Sequence, residues 1–204
     1  MIRFVPVFKL LVSLVYLVSA WPAGATADSP SAVVEGFHGN LLAVMKDADA
    51  LGVAGRYQRL ESPVASAFDL QRMIRVACGS YCKNVTPAKR QALLDGFTRM
   101  SVGTYAAQFD GFSGEAFETL GESPGPQGTI LVKTRIVRPD DSPVGLTYVL
   151  KEVAGGWRIA DVLLDDSISQ LAVRRSEYRR VLRKDGVDGL VSVLNRKADQ
   201  LSVE

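Results

Sequence analysis

The sequence predicts one α+β domain, in which helices precede and follow an antiparallel meander of four strands. Between Pro30 and Gln108, apolar side chains recur at spacings of three and four, the period of an amphipathic helix. After Gln108, β-rich runs are separated by the turn sequences Ser-Pro-Gly-Pro, Pro-Asp-Asp-Ser-Pro and Gly-Gly. Such turns join antiparallel strands, and a sheet with one apolar face needs helices on that side only.

Length and composition leave room for one domain with a core. The chain has 204 residues, of which 47% are hydrophobic and 23% charged. Arg3 and Lys9 are the only charged side chains before Asp28, and without them 22 basic residues face 22 acidic ones. Global charge therefore gives no argument for nucleic-acid binding.

Residues 1–27 have the three parts of an export signal. A short basic start is followed by an apolar run, and Ala25-Thr26-Ala27 forms a small-x-small cleavage site. A membrane anchor is the alternative, but Ser13 and Ser19 interrupt a run that is shorter than the roughly 20 apolar residues needed to span a bilayer. We therefore expect a mature domain of residues 28–204, exported to the periplasm if the cell has two membranes.

The first half of that domain predicts four helices. Ser29-Pro30 begins the first, residues 56–68 form a second that breaks at Pro63, and Asp69 caps a third. Thr86-Pro87 begins the fourth and clearest helix, which extends to about Gln108.

Two residue types that could bind metal occur in this half. His38, the only histidine, has no second ligand at helical spacing, so we expect a structural role and no metal site. Cys78 and Cys82 have neither redox nor zinc spacing. A disulfide between them is one possibility for an exported protein, and it forms without strain only if the helix ends near Gly79.

The C-terminal half combines the meander with a basic helix. Gly155-Gly156 predicts a hairpin turn, and the strand after it ends at Asp165-Asp166-Ser167, which favours a helix from about Ile168. A last helix is predicted from Val187 onward. Between Ile168 and Lys197 there are eight basic residues against three acidic ones. We expect the outward members to contribute to docking on a partner complex or membrane surface; they are Arg174, Arg180, Arg183 and Lys184.

The chain contains none of the common hydrolase, phosphate-loop or dinucleotide motifs. Asp161 shares strand parity with Trp157 and Ile159, so a regular strand points it inward. A buried carboxylate requires a cation, and Arg175 lies on the apolar side of the next helix. We therefore predict a structural Asp161–Arg175 ion pair and no catalytic residue.

The order of elements, together with "GWRIADVLLDD", "RRSEY" and "DGL", resembles the MlaC-like (toluene-tolerance) family of lipid shuttles, most closely its hopanoid-associated HpnM subgroup. In this resemblance Asp161, Ser169, Arg175, Ser176 and Tyr178 occupy motif positions. It implies an NTF2-like cone around an apolar cavity that holds phospholipid or hopanoid. It also implies a periplasmic carrier between an inner-membrane ABC transporter complex and an outer-membrane complex, without a cofactor. We expect a monomer that touches membranes transiently.

The side chains expected to line the cavity come from the helices and from the inward face of the meander. They are Phe68, Met73, Tyr105, Phe109, Ile130, Val132, Leu146, Tyr148, Leu150, Trp157 and Ile159. Two other functions stay open. An NTF2-like enzyme for a steroid-like substrate could use Tyr148 and Asp161 in an apolar pocket. A module that binds a protein partner and no lipid is the third possibility.

Overall fold

The computed structural model describes residues 29–139 and 141–202, so the expected signal segment lies outside it. The helices are α1 (Pro30–Lys46), α2 (Ala48–Ala67), α3 (Leu70–Cys78), α4 (Pro87–Gln108) and α5 (Gln170–Leu201). The strands are β1 (Ala116–Pro124), β2 (Thr129–Arg138), β3 (Asp141–Val153), β4 (Gly156–Leu164) and β5 (Ile168–Ser169). The sheet is antiparallel and follows chain order. The α+β prediction is confirmed, and a fifth, two-residue strand lies where the last helices were expected to start.

Four helices begin at a side chain that caps the first turn. Ser29, Asp69, Thr86 and Ser169 each accept a hydrogen bond from the backbone N–H three residues later. Such a cap satisfies one of the N–H groups that a helix start leaves unpaired. The starts of α1, α3 and α4 are therefore those that the sequence predicted.

Two helices contain a break at a glycine. Gly52 in α2 and Gly186 in α5 have φ angles of 56° and 67°, a conformation that other residues adopt at a cost. The break in α5 separates the two closing helices that the sequence predicted. The break expected at Pro63 is absent, because α2 continues through it with Leu60 and Val64 fully buried on either side. Packing there outweighs the hydrogen bond that proline removes.

Two glycines let α4 and α5 approach closely. A Cβ atom on Gly96 would lie 3.1 Å from Cβ of Leu194, and one on Gly103 would lie 3.0 Å from Cβ of Leu201. These two positions are seven residues apart and lie on one side of α4. The second part of α5 therefore rests directly on α4. No helix within residues 29–139 and 141–202 has both the length and the apolar character to cross a bilayer.

The register of the sheet determines which side chains face the helices. Val132 is opposite Tyr148 in the β2–β3 pair, and Leu150 is opposite Ile159 in the β3–β4 pair. All four are at most 2% exposed. Directly after Ile159, β4 contains an extra residue, Ala160. Val149, the neighbour of Leu150 on β3, is therefore opposite Asp161. This β-bulge reverses the direction of the side chains that follow it.

Candidate functional site

A cavity of about 250 Å³ lies between the helices and the inner face of β3 and β4. Its wall comes from α2, α3, α4, the two strands and the first turn of α5, together with the residues that end α2 and α4. The lining residues are Val64, Phe68, Leu70, Met73, Phe97, Met100, Ser101, Thr104, Tyr105, Gln108, Phe109, Leu146, Tyr148, Val162, Leu164, Gln170, Leu171 and Arg174. Most of these side chains are apolar, so the cavity can hold a hydrophobic molecule.

The cavity has a dry end and a wet end. Val64, Phe97 and Tyr148 are at most 2% exposed. Gln108 at the end of α4 and Gln170 at the start of α5 are exposed. The mouth therefore lies between these two helix ends, and its polar side chains separate the apolar interior from water.

Arg174 is the one charged side chain in this wall. Its side chain is 30% exposed, and its Nη1 atom lies 3.4 Å from a carboxylate oxygen of Glu177. The sequence predicted Arg174 on an outward docking face. That assignment needs correction, because Arg174 follows Gln170 and Leu171 by one helical turn and shares their side of α5.

Aromatic rings form a connected cluster that includes three residues of the cavity wall, Phe68, Tyr105 and Phe109. The ring of Phe37 lies 5.1 Å from the rings of both Phe68 and Tyr105, at steep angles. Phe109 is 6.0 Å from Tyr105 and 6.2 Å from Phe117. Edge and offset contacts of this kind are favourable geometries for aromatic pairs. This cluster joins α1, α4 and β1 behind the cavity.

His38 holds a tyrosine of the cavity wall. Its Nε2 atom lies 2.9 Å from the hydroxyl of Tyr148, and its ring is stacked 4.3 Å from Phe117. Burial lowers the pKa of His38 to about 4, so the imidazole is neutral at pH 7. Burial also raises the pKa of Tyr148, and the nearby Tyr105 raises it further. This places His38 in a structural setting.

Six of the eleven residues expected to line the cavity are in its wall. They are Phe68, Met73, Tyr105, Phe109, Leu146 and Tyr148. The other five lie outside this wall: Val132, Leu150 and Ile159 are in the core, and the partly buried Ile130 and Trp157 pack against it. Of the seven strand residues expected in the wall, only the two from β3 named above line it, because α1 and α2 cover the rest of the inner face of the sheet.

The expected ion pair between Asp161 and Arg175 is not formed. Arg175 is exposed, and the Asp161 carboxylate accepts hydrogen bonds from the N–H groups of Val162 and Leu171, at 2.8 and 2.9 Å, and from the Ser169 hydroxyl. The bulge at Ala160 turns Asp161 away from the interior. Its carboxylate therefore stabilises the start of α5 through hydrogen bonds to the helix.

The two remaining predictions concern the surface and the cysteines. Cys78 and Cys82 are joined as a disulfide, with Cα atoms 5.7 Å apart. Helix α3 ends at Cys78, and Gly79 adopts a φ of 62°, so the chain turns where the pairing requires it. The docking candidates Arg180, Arg183 and Lys184 are exposed on the first part of α5.

The cavity does not assemble an acid–base pair from Tyr148 and Asp161. Tyr148 and Val162 are cross-strand partners that line the cavity, whereas Asp161 pairs with Val149 on the opposite face. In the part of the chain that is described, no group of three or more His, Cys, Asp or Glu side chains could hold a metal ion.

Sequence reasoning missed most of the contributions from α4 and α5. Phe97 and Met100 of α4 line the cavity, although neither was among the residues expected there. Val162 and Leu164 were missed because the bulge shifts the parity of β4. A signal was present for Arg174, since Leu171 and Arg174 are three residues apart on one helical face.

Comparison with known proteins agrees with this architecture. The fold is similar to that of a phospholipid-binding protein from Ralstonia solanacearum, whose structure contains a phospholipid. The TM-score is 0.75 at 21% sequence identity, over 86% of this chain and 99% of that one. The sequence model of the MlaC protein family matches residues 36–196. Because this match covers well over half of the sequence, the chain belongs to the MlaC family.

Proposed function

We propose that this protein is a phospholipid-binding carrier that holds acyl chains in the cavity between α4, α5 and the sheet. The observation that supports this most directly is a mainly apolar cavity with two exposed polar side chains, Gln108 and Gln170, at its mouth. A phospholipid has the same division between its chains and its head. The related fold from Ralstonia solanacearum, solved in complex with a phospholipid, supports the same ligand class. The arrangement favours a binding protein over an enzyme.

The energetics explain why a carrier needs such a cavity. Transfer of an acyl chain from a membrane to water costs about 0.8 kcal/mol per methylene, or roughly 12 kcal/mol for a chain of palmitoyl length. The cavity replaces the membrane as the apolar environment. Its volume of about 250 Å³ lies below the roughly 300–1,000 Å³ typical of small-molecule sites. A cavity of this volume therefore has to widen before it can enclose a whole phospholipid.

The place of action follows from the family and from the N-terminal sequence. We infer a periplasmic carrier that moves lipid between an inner-membrane ABC transporter complex and the outer membrane. Hopanoid as cargo, suggested by the resemblance to the HpnM subgroup, stays a prediction. The exposed cations Arg180, Arg183 and Lys184 form a suitable docking face for an anionic membrane or partner.

Native mass spectrometry of protein purified without detergent tests the proposal. We expect a stoichiometric adduct that organic solvent removes and that yields a phospholipid in the extract. Thr104→Trp should reduce the adduct because Thr104 lines the cavity. Thr98→Trp is the matched control, since Thr98 is a partly buried threonine of the same helix outside this wall. An apo mass in several preparations would contradict lipid carriage.

Docking is tested separately by the rate of lipid transfer to anionic vesicles. Charge reversal at Arg180, Arg183 and Lys184 should slow transfer while the amount of bound lipid stays unchanged. Added salt should slow lipid transfer by the parent protein, because exposed charges act only over about 10 Å at 0.1 M salt. A transfer rate that is independent of both salt and these charges would leave α5 as an ordinary solvated face.

A further inference from the structure

We propose that Arg174 recognises the anionic phosphodiester of the bound lipid and so distinguishes phospholipids from uncharged lipids. The inference rests on the proposed carrier function and deepens it. It assigns to one side chain the selection of the ligand's head, whereas the apolar wall holds its chains.

The position of Arg174 meets the requirement for such a contact. It is the one charged residue among the eighteen that line the cavity. Leu171, one turn earlier on the same side of α5, belongs to the apolar wall. The Arg174 side chain is 30% exposed, so it can meet a head group that remains in water while the chains go inside. An arginine side chain suits this boundary because its aliphatic stem tolerates apolar contact.

Two of the other polar groups in the cavity wall are already engaged within α4. The hydroxyls of Ser101 and Thr104 already donate to Phe97 and Met100 carbonyl oxygens on their own helix, at 2.7 and 2.8 Å. An arginine has five N–H donors in a planar fork that matches two phosphate oxygens. Among the described contacts of Arg174, one N–H group faces Glu177 at 3.4 Å. Most of its donors are therefore open to a ligand.

Two further side chains could complete the contact. The amide of Gln170 makes one long hydrogen bond, 3.4 Å, to the Ile168 carbonyl oxygen, and the Gln108 side chain is exposed across the mouth. Both residues line the cavity. Amide N–H groups can donate to phosphate oxygens but add no charge. Arg174 thus supplies the attraction for an anion, and the two glutamines add neutral donors.

The nearby acids leave the site cationic enough to accept an anion. Glu177 lies in a long contact with Arg174, and its side chain is 49% exposed, so water screens it. Asp161 is already engaged by the N–H groups of Val162 and Leu171 and by the Ser169 hydroxyl. A phosphodiester would displace Glu177 from the guanidinium. Glu177→Gln should therefore increase phospholipid affinity slightly.

The test compares two fluorescent lipids with the same acyl chains, a phosphatidylglycerol and a diacylglycerol. The parent protein should bind the phospholipid about tenfold or more tightly, which corresponds to one charge-assisted hydrogen-bonded pair. Arg174→Gln should remove most of this preference and leave the diacylglycerol affinity unchanged. Arg174→Lys, which keeps the charge without the planar fork, should retain part of it.

Three controls test whether positive charge in general, a carboxylate or free phosphate accounts for the preference. Arg196→Gln removes an equal charge from an exposed position of the same helix that lies outside both the cavity wall and the docking face, and it should leave both affinities unchanged. A fatty acid of the same chain length shows whether a carboxylate suffices, and millimolar inorganic phosphate shows whether the anion binds without chains. Displacement by phosphate alone, or equal gains for the fatty acid, would overturn recognition of a lipid phosphodiester.

The outcomes also distinguish the two proposals. If the parent binds both lipids equally, or if Arg174→Gln keeps the preference while its melting temperature matches the parent, the protein is a carrier and the role of Arg174 is wrong. If the parent binds neither lipid, carriage itself fails and the role of Arg174 fails with it. Loss of phospholipid preference in Arg174→Gln alone supports the inference.

Discussion

The inner face of the meander has two halves that are equally apolar in sequence but differ in packing. The packed half lies outside the cavity wall and consists of the core residues Val132, Leu150 and Ile159 and of Ile130, which packs against them. The open half consists of Leu146, Val162 and Leu164, which line the cavity. Tyr148 lies where the halves meet, because it is 2% exposed, pairs with Val132 and also lines the cavity.

The difference depends on what lies opposite each half. The backbone of Ile159 accepts a hydrogen bond from the Asp69 N–H at 2.9 Å and forms a bridge to Phe68, so the end of α2 is held against the packed half. The open half faces the start of α5, where Gln170 is exposed and the Arg174 side chain is 30% exposed. A filled core and a cavity therefore arise from similar strand residues and different helix residues.

The largest expected effect contrasts two leucines of β3. Leu150→Ala should lower the free energy of unfolding by about 2–5 kcal/mol, since it leaves a void in a filled region. Leu150 has 0% exposure, whereas Leu146 is partly buried and already borders a cavity. Leu146→Ala should therefore cost less than Leu150→Ala. Chemical denaturation measures both.

The same two variants should have the reverse order of effect on the lipid that the protein binds. Leu146→Ala should change the amount or chain length of the bound lipid, and Leu150→Ala should leave them unchanged as long as the protein is folded. Equal losses of stability, with equal effects on lipid, would show that the two halves are not distinct. Mass spectrometry of the solvent extract provides this measurement.

The sequence could predict the elements because local signals determine them. Ser29-Pro30 and Thr86-Pro87 begin helices at those residues, and Gly155-Gly156 turns the chain between β3 and β4. The family resemblance, confirmed by the match over residues 36–196, supplied the expectation of a cavity. Local periodicity identified which strand residues face inward up to Ile159.

The candidate site was less predictable because it depends on irregular backbone and on distant contacts. One extra residue at Ala160 exchanges the faces of Asp161 and Val162, and strand alternation cannot reveal it. Filled and empty regions also cannot be separated by composition, because volume depends on which helix lies across the sheet. The place of Arg174 in the cavity wall could not be predicted without knowing that the start of α5 borders the mouth.

The next effect concerns His38, which holds Tyr148 at the boundary between the halves. Burial lowers the His38 pKa from its ordinary value of 6.5 to about 4, so the unfolded chain binds this proton at a higher pH than the folded chain. The contribution of the neutral His38 to the free energy of unfolding is therefore fully present above pH 6.5 and is lost as the pH falls toward 4. The loss should be about 3 kcal/mol for a shift of this size.

A variant isolates this contribution from the carboxylates that titrate nearby. His38→Gln has no imidazole to titrate and can still form a hydrogen bond with the Tyr148 hydroxyl. Urea denaturation of both proteins between about pH 7.5 and 4 measures the difference. The parent should lose more stability than the variant over this interval. If the free energies of unfolding of the two proteins changed in parallel with pH, protonation of His38 would not destabilise the folded protein.

The smallest expected effect lies at the wet end of the open half, where Asp161 joins β4 to α5. Asp161→Ala removes the acceptor for the N–H groups of Val162 and Leu171 and for the Ser169 hydroxyl. It should lower the free energy of unfolding by about 1–2 kcal/mol, as loss of a helix cap does. Arg175→Gln should change it by less than about 0.5 kcal/mol, because Arg175 is exposed.

This pair of variants also tests how far the start of α5 controls the mouth. Fraying of the first turn would release Gln170, Leu171 and Arg174 together, so Asp161→Ala should also weaken phospholipid retention, whereas Arg175→Gln should not. A double-mutant cycle provides the control: the two changes should add, since the side chains do not touch. A coupling energy of about 1 kcal/mol or more would instead restore the ion pair that strand parity suggested, and it would mean that Asp161 points inward in solution.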